Sequence, residues 1–385
     1  VRRTNPFQIA TLPTKGEFCD REAEIARFQS SWRSPGAKLV AYGDRRLGKT
    51  ALLARAAADL RSPTVVVFSV ATAIDPADAV KRLMAAVQAA IGRPWSTVIQ
   101  DLARRLRLTV TMSPASTATG VPEFSLGLAP GDATARPALL TDALDALEAE
   151  LTARGRRVAL GIDEFQRLVK WGGEDFEWQL KASLEKHRHI SYILTGSATS
   201  LIEEMVGTKG RALWKLVDTI RIQPIPSGTL AEWIVARSKA SRLPLSDAVA
   251  REIVARAGPR TRDVILLARA TWEDARAHES SGDVGRALDH HLAETTDLHG
   301  RVWGQCSDRE RRILRMLSWE PAVEPTSEAA RRRHGLGPSS TVTKALAALV
   351  KHELLVRTSA GYAFDDPFFL NWVKRATTPD LPPAG

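Results

Sequence analysis

The stretch AYGDRRLGKT, residues 41–50, limits the possible folds of this chain more than any other segment. Gly43, Gly48, Lys49 and Thr50 stand at the spacing G-x-x-x-x-G-K-[ST], with the apolar run KLVAY before them and the helix-forming run KTALLARAAADLR after them. A strand that turns through glycines into a helix lets successive N–H groups curl around an anion, and the helix N-terminus adds the positive end of its dipole. The expected phosphate cradle takes in Asp44, Arg45, Arg46, Leu47 and Ala51 as well. Lys49 would reach the β- and γ-phosphates of a nucleotide, and Thr50 would offer a hydroxyl to Mg²⁺.

A strand–loop–helix unit needs parallel neighbours, and the sequence supplies them. With AKLVAYG (37–43), the runs TVVVFSV (64–70), RVALGID (157–163), ISYILTG (190–196) and DTIRIQPI (218–225) make five short aliphatic or β-branched segments separated by helical stretches. That pattern belongs to a parallel sheet covered on both faces. A helix is expected over 18–33, capped by Asp20, and others near 76–91, 96–107 and 138–154. The run around 112–138, rich in Ser, Thr, Ala, Gly and Pro, has no period and reads as a flexible surface excursion.

After residue 225 the strand signal stops. SGTLAEWIVARSKA, LSDAVAREIVARAG, RTRDVILLARATWEDARAH and DVGRALDHHLAETT each carry apolar residues at helical spacing. From about residue 301 come three more helical runs, SDRERRILRMLSW, TSEAARRRHGL and SSTVTKALAALVKHEL, and then LLVRTSAGYAFDD, a hairpin turning at SAG. Three short helices followed by a two-stranded wing describe a winged helix-turn-helix. The expected segments are 1–35, a core over 36–226, a helical region over 227–300, the winged helix over 301–378 and a tail over 379–385.

At 385 residues the chain exceeds one ordinary domain. Its two cysteines, Cys19 and Cys306, are far apart, which supports neither a disulfide framework nor a structural zinc site. His290, His291 and the HRH at 187–189 lack partners in ligand spacing, so no metal reading follows from them. VRRTNPFQIATLP lacks the apolar centre of a signal peptide and no run is long enough to span a membrane, so the expected location is the cytoplasm. The net charge of +10 fits a polyanionic partner or a solvated basic surface.

Chemistry gathers at three further places. VALGIDEFQ ends a strand in Asp163 and Glu164, at the edge where parallel sheets bind ligands. Asp163 would hold Mg²⁺ and Glu164 would polarise the water that attacks the γ-phosphate. Thr195 and Ser197, ending ISYILTGSATS, would stand between that water and the phosphate, or Ser197 and Thr199 would cap the next helix. Arg211 reads as a finger toward a neighbouring subunit's nucleotide or as a surface residue, and Arg260 or Arg262 as a γ-phosphate sensor.

These residues resemble the P-loop ATPases of the AAA+/STAND division. The likeness is nearest to the archaeal and bacterial ATPase family with F-x-G-R-E, G-x-R-R-x-G-K-T and I-D-E-F-Q motifs, a relative of the origin-recognition ATPases. Here the first motif is FCDREAEI, with Cys19-Asp20 in place of the usual pair, whereas GDRRLGKT and GIDEFQ match well. GYAFDDPFFLNWV is similar to the family's D-P-x-F-x-x-W ending, and Gly258-Pro259-Arg260 compresses its G-x-P-R.

The resemblance implies an α/β fold, a P-loop NTPase of the ASCE type. Its five-stranded parallel sheet would run fifth, first, fourth, third, second, followed by an all-helical lid and a winged helix. It implies ATP or ADP with Mg²⁺ as cofactors, adenine against Pro6, Phe7 and Arg21, slow partner-stimulated hydrolysis, and self-association when ATP is bound.

The winged helix has two candidate partners. Ser339, Ser340, Thr341, Thr343 and Lys344 begin its third helix and Arg357 lies on the wing, positions that would meet duplex DNA. Residues 301–385 hold 13 Lys and Arg against 9 Asp and Glu, a modest excess, and the RRR at 331–333 reads as a phosphate patch or a solvated helix face. A signalling or defence ATPase would use the same module to dock a protein.

Overall fold

The computed structural model describes residues 4–9, 14–91, 108–113, 123–128, 138–197, 199–358 and 360–378. The chain divides into two compact units, residues 10–224 and residues 1–9 with 225–385.

The first unit is built on a five-stranded parallel sheet. Along the chain it holds α1 (Glu22–Arg33), β1 (Lys38–Tyr42), α2 (Lys49–Ala58), β2 (Thr64–Ser69), α3 (Pro76–Ile91), a separate hairpin β3 (Leu108–Ser113) and β4 (Glu123–Leu128), and α4 (Ala138–Ala153). β5 (Val158–Asp163), α5 (Gln166–Lys186), β6 (Ile190–Gly196), α6 (Thr199–Gly207) and β7 (Asp218–Arg221) follow. The strands lie in the order β2, β5, β6, β1, β7. Counted within the sheet alone, this is the expected fifth–first–fourth–third–second arrangement read from its other end.

Alternation along the strands feeds two cores. Val40, Leu160, Ile162, Tyr192 and Leu194 pack with residues of α3 to α6, among them Leu83, Leu144 and Leu180. The intervening residues Leu39, Ala41, Ala159 and Ile193 pack with Phe28 and Trp32 of α1 and Leu52 and Leu53 of α2. Every residue of β5 and β6 is buried, so these strands have no polar alternation, as expected for a sheet sandwiched between helix layers. Gly161 makes room for Trp32, because a Cβ there would lie 3.2 Å from the indole.

The second unit contains α7 (Ser227–Ala240), α8 (Asp247–Ala257), α9 (Thr261–Ala277), α10 (Val284–Glu294) and α11 (Thr296–Gln305). The winged helix continues with α12 (Asp308–Trp319), α13 (Glu328–Arg333), α14 (Ser339–Lys351), the antiparallel wing β8 (Leu355–Thr358) and β9 (Gly361–Phe364), and α15 (Pro367–Thr377). Ile313, Leu317, Leu336, Val342, Leu346, Leu355, Phe369 and Val373 form its core. α12 opens on a capping box in which Ser307 and Glu310 satisfy each other's backbone N–H groups.

Several expectations are corrected. α1 begins at Glu22 with Arg21 at its cap, not Asp20, because Asp20 and Arg21 are both left-handed, at φ 58° and 85°. Part of the run expected to be structureless pairs as β3 and β4, whose sequences LTVTMS and EFSLGL carry β-formers that overall composition hides. The rest of that run, the helix expected over 96–107 and the tail lie outside the described residues. α11 crosses the boundary expected at residue 300, and α15 closes the winged helix where no element was expected. No helix among the described residues is long and apolar enough to cross a membrane.

Candidate active site

Parallel register brings the chemistry to one edge of the sheet. Asp163 of β5 lies beside Thr195 of β6, and Thr195 lies beside Ala41 of β1, two residues before Gly43. The loop then bends tightly: Arg46 and Gly48 are left-handed at φ 64° and 87°, and Gly48 caps α2. Gly43 passes so close to β7 that a Cβ would fall 2.4 Å from the Ile222 carbonyl. Leu47 is buried under the loop, while Asp44, Arg45 and Thr50 are exposed and Arg46 and Ala51 half-buried.

Lys49 is buried, and its Nζ donates to the carbonyls of Gly43 at 2.9 Å and Asp44 at 2.6 Å. Burial pushes its ammonium below the ordinary lysine value, against the opposing pull of Glu164, Asp163 and Asp44. An ammonium has three donors, and two are used on carbonyls. The third can meet a phosphate oxygen.

Asp163 gathers two hydroxyls. Thr50 Oγ1 donates to its Oδ2 at 2.7 Å and Thr195 Oγ1 to its Oδ1 at 2.5 Å. The neighbouring Glu164 turns away because its backbone is left-handed at φ 59°, a conformation that costs a non-glycine residue energy and recurs at functional sites. Its Oε2 accepts from Ser197 Oγ at 2.7 Å and from Gln166 Nε2 at 2.5 Å. Both described donors bind Oε2, which leaves Oε1 to take a proton from water.

Gln166 was not among the sequence candidates. It is 4% exposed, and its Oε1 is buried without a hydrogen-bond partner. Two sequence signals mark it: its place at the end of GIDEFQ, and Gly196, where a Cβ would fall 2.4 Å from that oxygen.

Other candidates stand elsewhere. Arg211 is held by Glu177, a buried carboxylate that it meets through two nitrogens, and by Glu204 and Glu174. Its guanidinium is tied within its own chain in this structure. Arg21 donates to Glu24 at 2.6 Å and to the Gln223 carbonyl at 2.6 Å. Pro6 and Phe7 belong to the second unit, where Phe7 is fully buried 5.8 Å from the Trp233 ring and Arg237 donates to the Pro6 carbonyl at 2.8 Å. Arg260 pairs with Asp365 at 2.7 Å and also donates to the Asp365 carbonyl, while Arg262 is exposed.

On the winged helix Ser339, Ser340, Thr343, Lys344 and Arg357 are exposed and Thr341 half-buried. Thr341 Oγ1 donates to the Pro338 carbonyl at 2.7 Å and Thr343 Oγ1 to the Ser339 carbonyl at 3.0 Å. In the RRR run, Arg331 holds the Thr326 carbonyl at 3.0 Å, Arg332 pairs with Glu328 at 2.5 Å and Arg333 with Glu320 at 3.4 Å. Among the described residues no group of three or more His, Cys, Asp or Glu is placed to hold a metal ion.

Comparison with known proteins agrees with this fold. The family model of an ATPase domain predominantly from Archaea matches residues 18–228, and that of a probable winged helix domain matches residues 298–375. No curated protein matches the chain. The Walker-type ATPase of Pyrococcus abyssi shares the fold at a TM-score of 0.61 and 17% identity, over 96% of this chain and 99% of that one. The ORC2 protein of Aeropyrum pernix, solved with ADPNP and ADP, superposes at 0.57 and 13% identity, over 98% and 99%. The ORC1 protein of the same organism, solved with DNA, superposes at 0.52 and 14% identity, over 97% and 96%. At these identities the likeness is one of fold.

Proposed function

The chain belongs to the family of ATPase domains found predominantly in Archaea, and we propose that it binds ATP with Mg²⁺ on residues 43–51, hydrolyses it, and uses the nucleotide state to control a winged helix that contacts duplex DNA. The observation that carries this reading is the pair of hydrogen-bonded networks beside the loop, Thr50–Asp163–Thr195 and Ser197–Glu164–Gln166.

The residues divide the work by chemistry. The backbone N–H groups of the loop and the Lys49 ammonium hold the phosphates. Thr50 and Asp163 present hard oxygen donors, the kind Mg²⁺ takes alongside phosphate oxygens and water, and their shared hydrogen bond supports the pairing. The ion would neutralise charge on the phosphates. Glu164, fixed at Oε2, orients and deprotonates the attacking water through Oε1, and Thr195 holds Asp163 in place.

Closure of the helical region 227–300 over bound ATP, slow turnover stimulated by a partner, self-association with ATP, and adenine contacts from Pro6, Phe7 and Arg21 complete the proposal. A switch between states requires ATP to favour one of them by several kcal/mol, which phosphate contacts can supply. Arg211 would serve a neighbouring subunit only after leaving Glu177, and Arg260 would sense the γ-phosphate only after leaving Asp365. Of the two candidate sensors, Arg262 is therefore the one whose head is exposed.

The test is a pair of variants. Glu164→Gln is expected to retain ATP and lose at least about 100-fold in turnover, and Lys49→Ala to lose nucleotide binding. Unchanged turnover in Glu164→Gln overturns the assignment. A second reading, a STAND-type signalling or defence ATPase whose winged helix docks a protein, is favoured by the Thr341 and Thr343 hydroxyls, which bond within their own helix. Absence of salt-dependent duplex binding by the full chain would select it.

A further inference from the structure

The edge of the sheet opposite the candidate active site is lined with arginines. Three adjacent strands, in spatial order β2, β5 and β6, are each entered through basic residues, Arg61, then Arg156 and Arg157, then Arg188, and Arg33 at the end of α1 lies beside Arg157. Parallel strands put all of these at one edge, roughly 20 Å from Asp163 for a six-residue strand. The row crosses two strand spacings, about 10 Å.

Within the row is a concave site. Arg33, Arg156 and Arg157 line a cavity of about 480 Å³ with Ser62, Pro63, Thr64 and Gly155, and no carboxylate is among the lining residues. Arg157 sends Nη2 to the Arg33 carbonyl at 2.7 Å, while its Nε is buried without a hydrogen-bond partner. Neither Arg33 nor Arg156 has an ion pair among the described residues. The acids nearby in sequence are used elsewhere: Asp59 by Arg55, Glu150 by Arg154, Asp145 by His187, and Glu148 by the backbone N–H groups of Arg188, His189 and Ile190. Like charges gathered without counter-charges repel, and an anion between them reverses the sign of that interaction.

We propose that this cavity binds a phosphate group and that the arginine row seats the sugar–phosphate backbone of a nucleic acid. Arginine forks match phosphate oxygens two at a time, and the Ser62 and Thr64 hydroxyls add the single donors that backbone contacts use. The row is long enough for about two or three phosphates of one strand, which advance ~3.4 Å per nucleotide along a duplex. Charge distribution points the same way, because residues 301–385 carry less than half of the net +10. The site is independent of the winged-helix contact proposed above and of the nucleotide chemistry.

The experiment uses the full chain and a fluorescent duplex, with anisotropy measured between 50 and 200 mM salt. Arg33→Glu with Arg156→Glu changes two exposed side chains, and an unchanged melting temperature checks that the fold survives. The expected result is a rise in Kd of about ten-fold or more at low salt and a salt dependence shallower by about two ions, with ATP binding and turnover unchanged. The milder Arg33→Gln with Arg156→Gln should move both in the same direction by less. Unchanged Kd and slope overturn the proposal, as does loss confined to Lys344→Ala with Arg357→Ala, which would leave the winged helix as the whole contact. Pyrophosphate titration separates the sources of phosphate: if the arginine variants lose pyrophosphate binding but keep the duplex, the nucleic-acid assignment falls. ATP turnover in the same samples reports separately on the nucleotide site.

Discussion

Gln166 controls Glu164 through a single amide, so it should separate turnover from binding. Gln166→Met keeps the volume and removes the donor to Oε2. The expected outcome is a fall in kcat of about ten-fold with nucleotide affinity unchanged, read by single-turnover assay beside equilibrium titration. Thr50→Ala should behave in the opposite way: affinity for ATP drops about ten-fold in Mg²⁺ and is unchanged in EDTA, because on the proposed reading the lost hydroxyl would serve the ion and not the phosphates. That Thr50, Asp163 and Glu164 meet at one edge of the sheet was legible in sequence, because each belongs to a contiguous motif on a strand or its turn. Gln166 closes the GIDEFQ motif, but its contact with Glu164 was not read from it, since its burial depends on Gly196, a strand away. The engagements of Arg211 with Glu177 and of Arg260 with Asp365 were equally hidden, since each joins residues from separate elements.

Elements set by local pattern were read with little error, and those set by context were not. The five strands of the sheet stand within a few residues of their expected bounds because continuous aliphatic runs between helices have one buried solution. α11 and α15 were missed for different reasons. α11, TDLHGRVWGQ, contains Gly300 and Gly304 and buries His299 in place of an aliphatic stripe, and α15 begins at Pro367, whose place at a helix start is supported by Asp366 accepting from the N–H groups of Phe368 and Phe369. At this scale Arg260 is a fastener between the start of α9 and the residue after the wing. Both side chains are nearly buried, so Arg260→Ala should cost about 3 kcal/mol in stability by leaving Asp365 unpaired, with part of the loss restored by adding Asp365→Asn. Chemical denaturation of the single and double variants measures it. If Arg260 acted on nucleotide instead, the double variant would stay defective in turnover.

Across the whole molecule, three histidines sit in environments that disfavour their charge. Burial is the largest cause in each case, lowering His187 in the first unit and His291 and His299 in the second below the ordinary value near 6.5. The unfolded chain therefore binds protons near pH 6.5 that the folded chain refuses. Stability present above that pH is lost as pH falls through about 6.5 toward the lowered folded values. The melting temperature should fall between pH 7.5 and pH 5.5, and His187→Asn should flatten the part of the slope belonging to the first unit. Constant melting temperature over that range would contradict the burial argument.

The order of strands in the sheet also sets a timetable. β1 is the first strand to be made, yet its neighbours are β6 and β7, nearly the last of their unit to leave the ribosome. At ~5–20 residues per second, the glycine loop waits on the order of 10 s for the strands that flank it. Throughout that interval an aliphatic strand is unpaired, and ATP has no formed site to bind. The nascent chain thus depends on protection during synthesis, and nucleotide can stabilise it only after residue 221 has emerged.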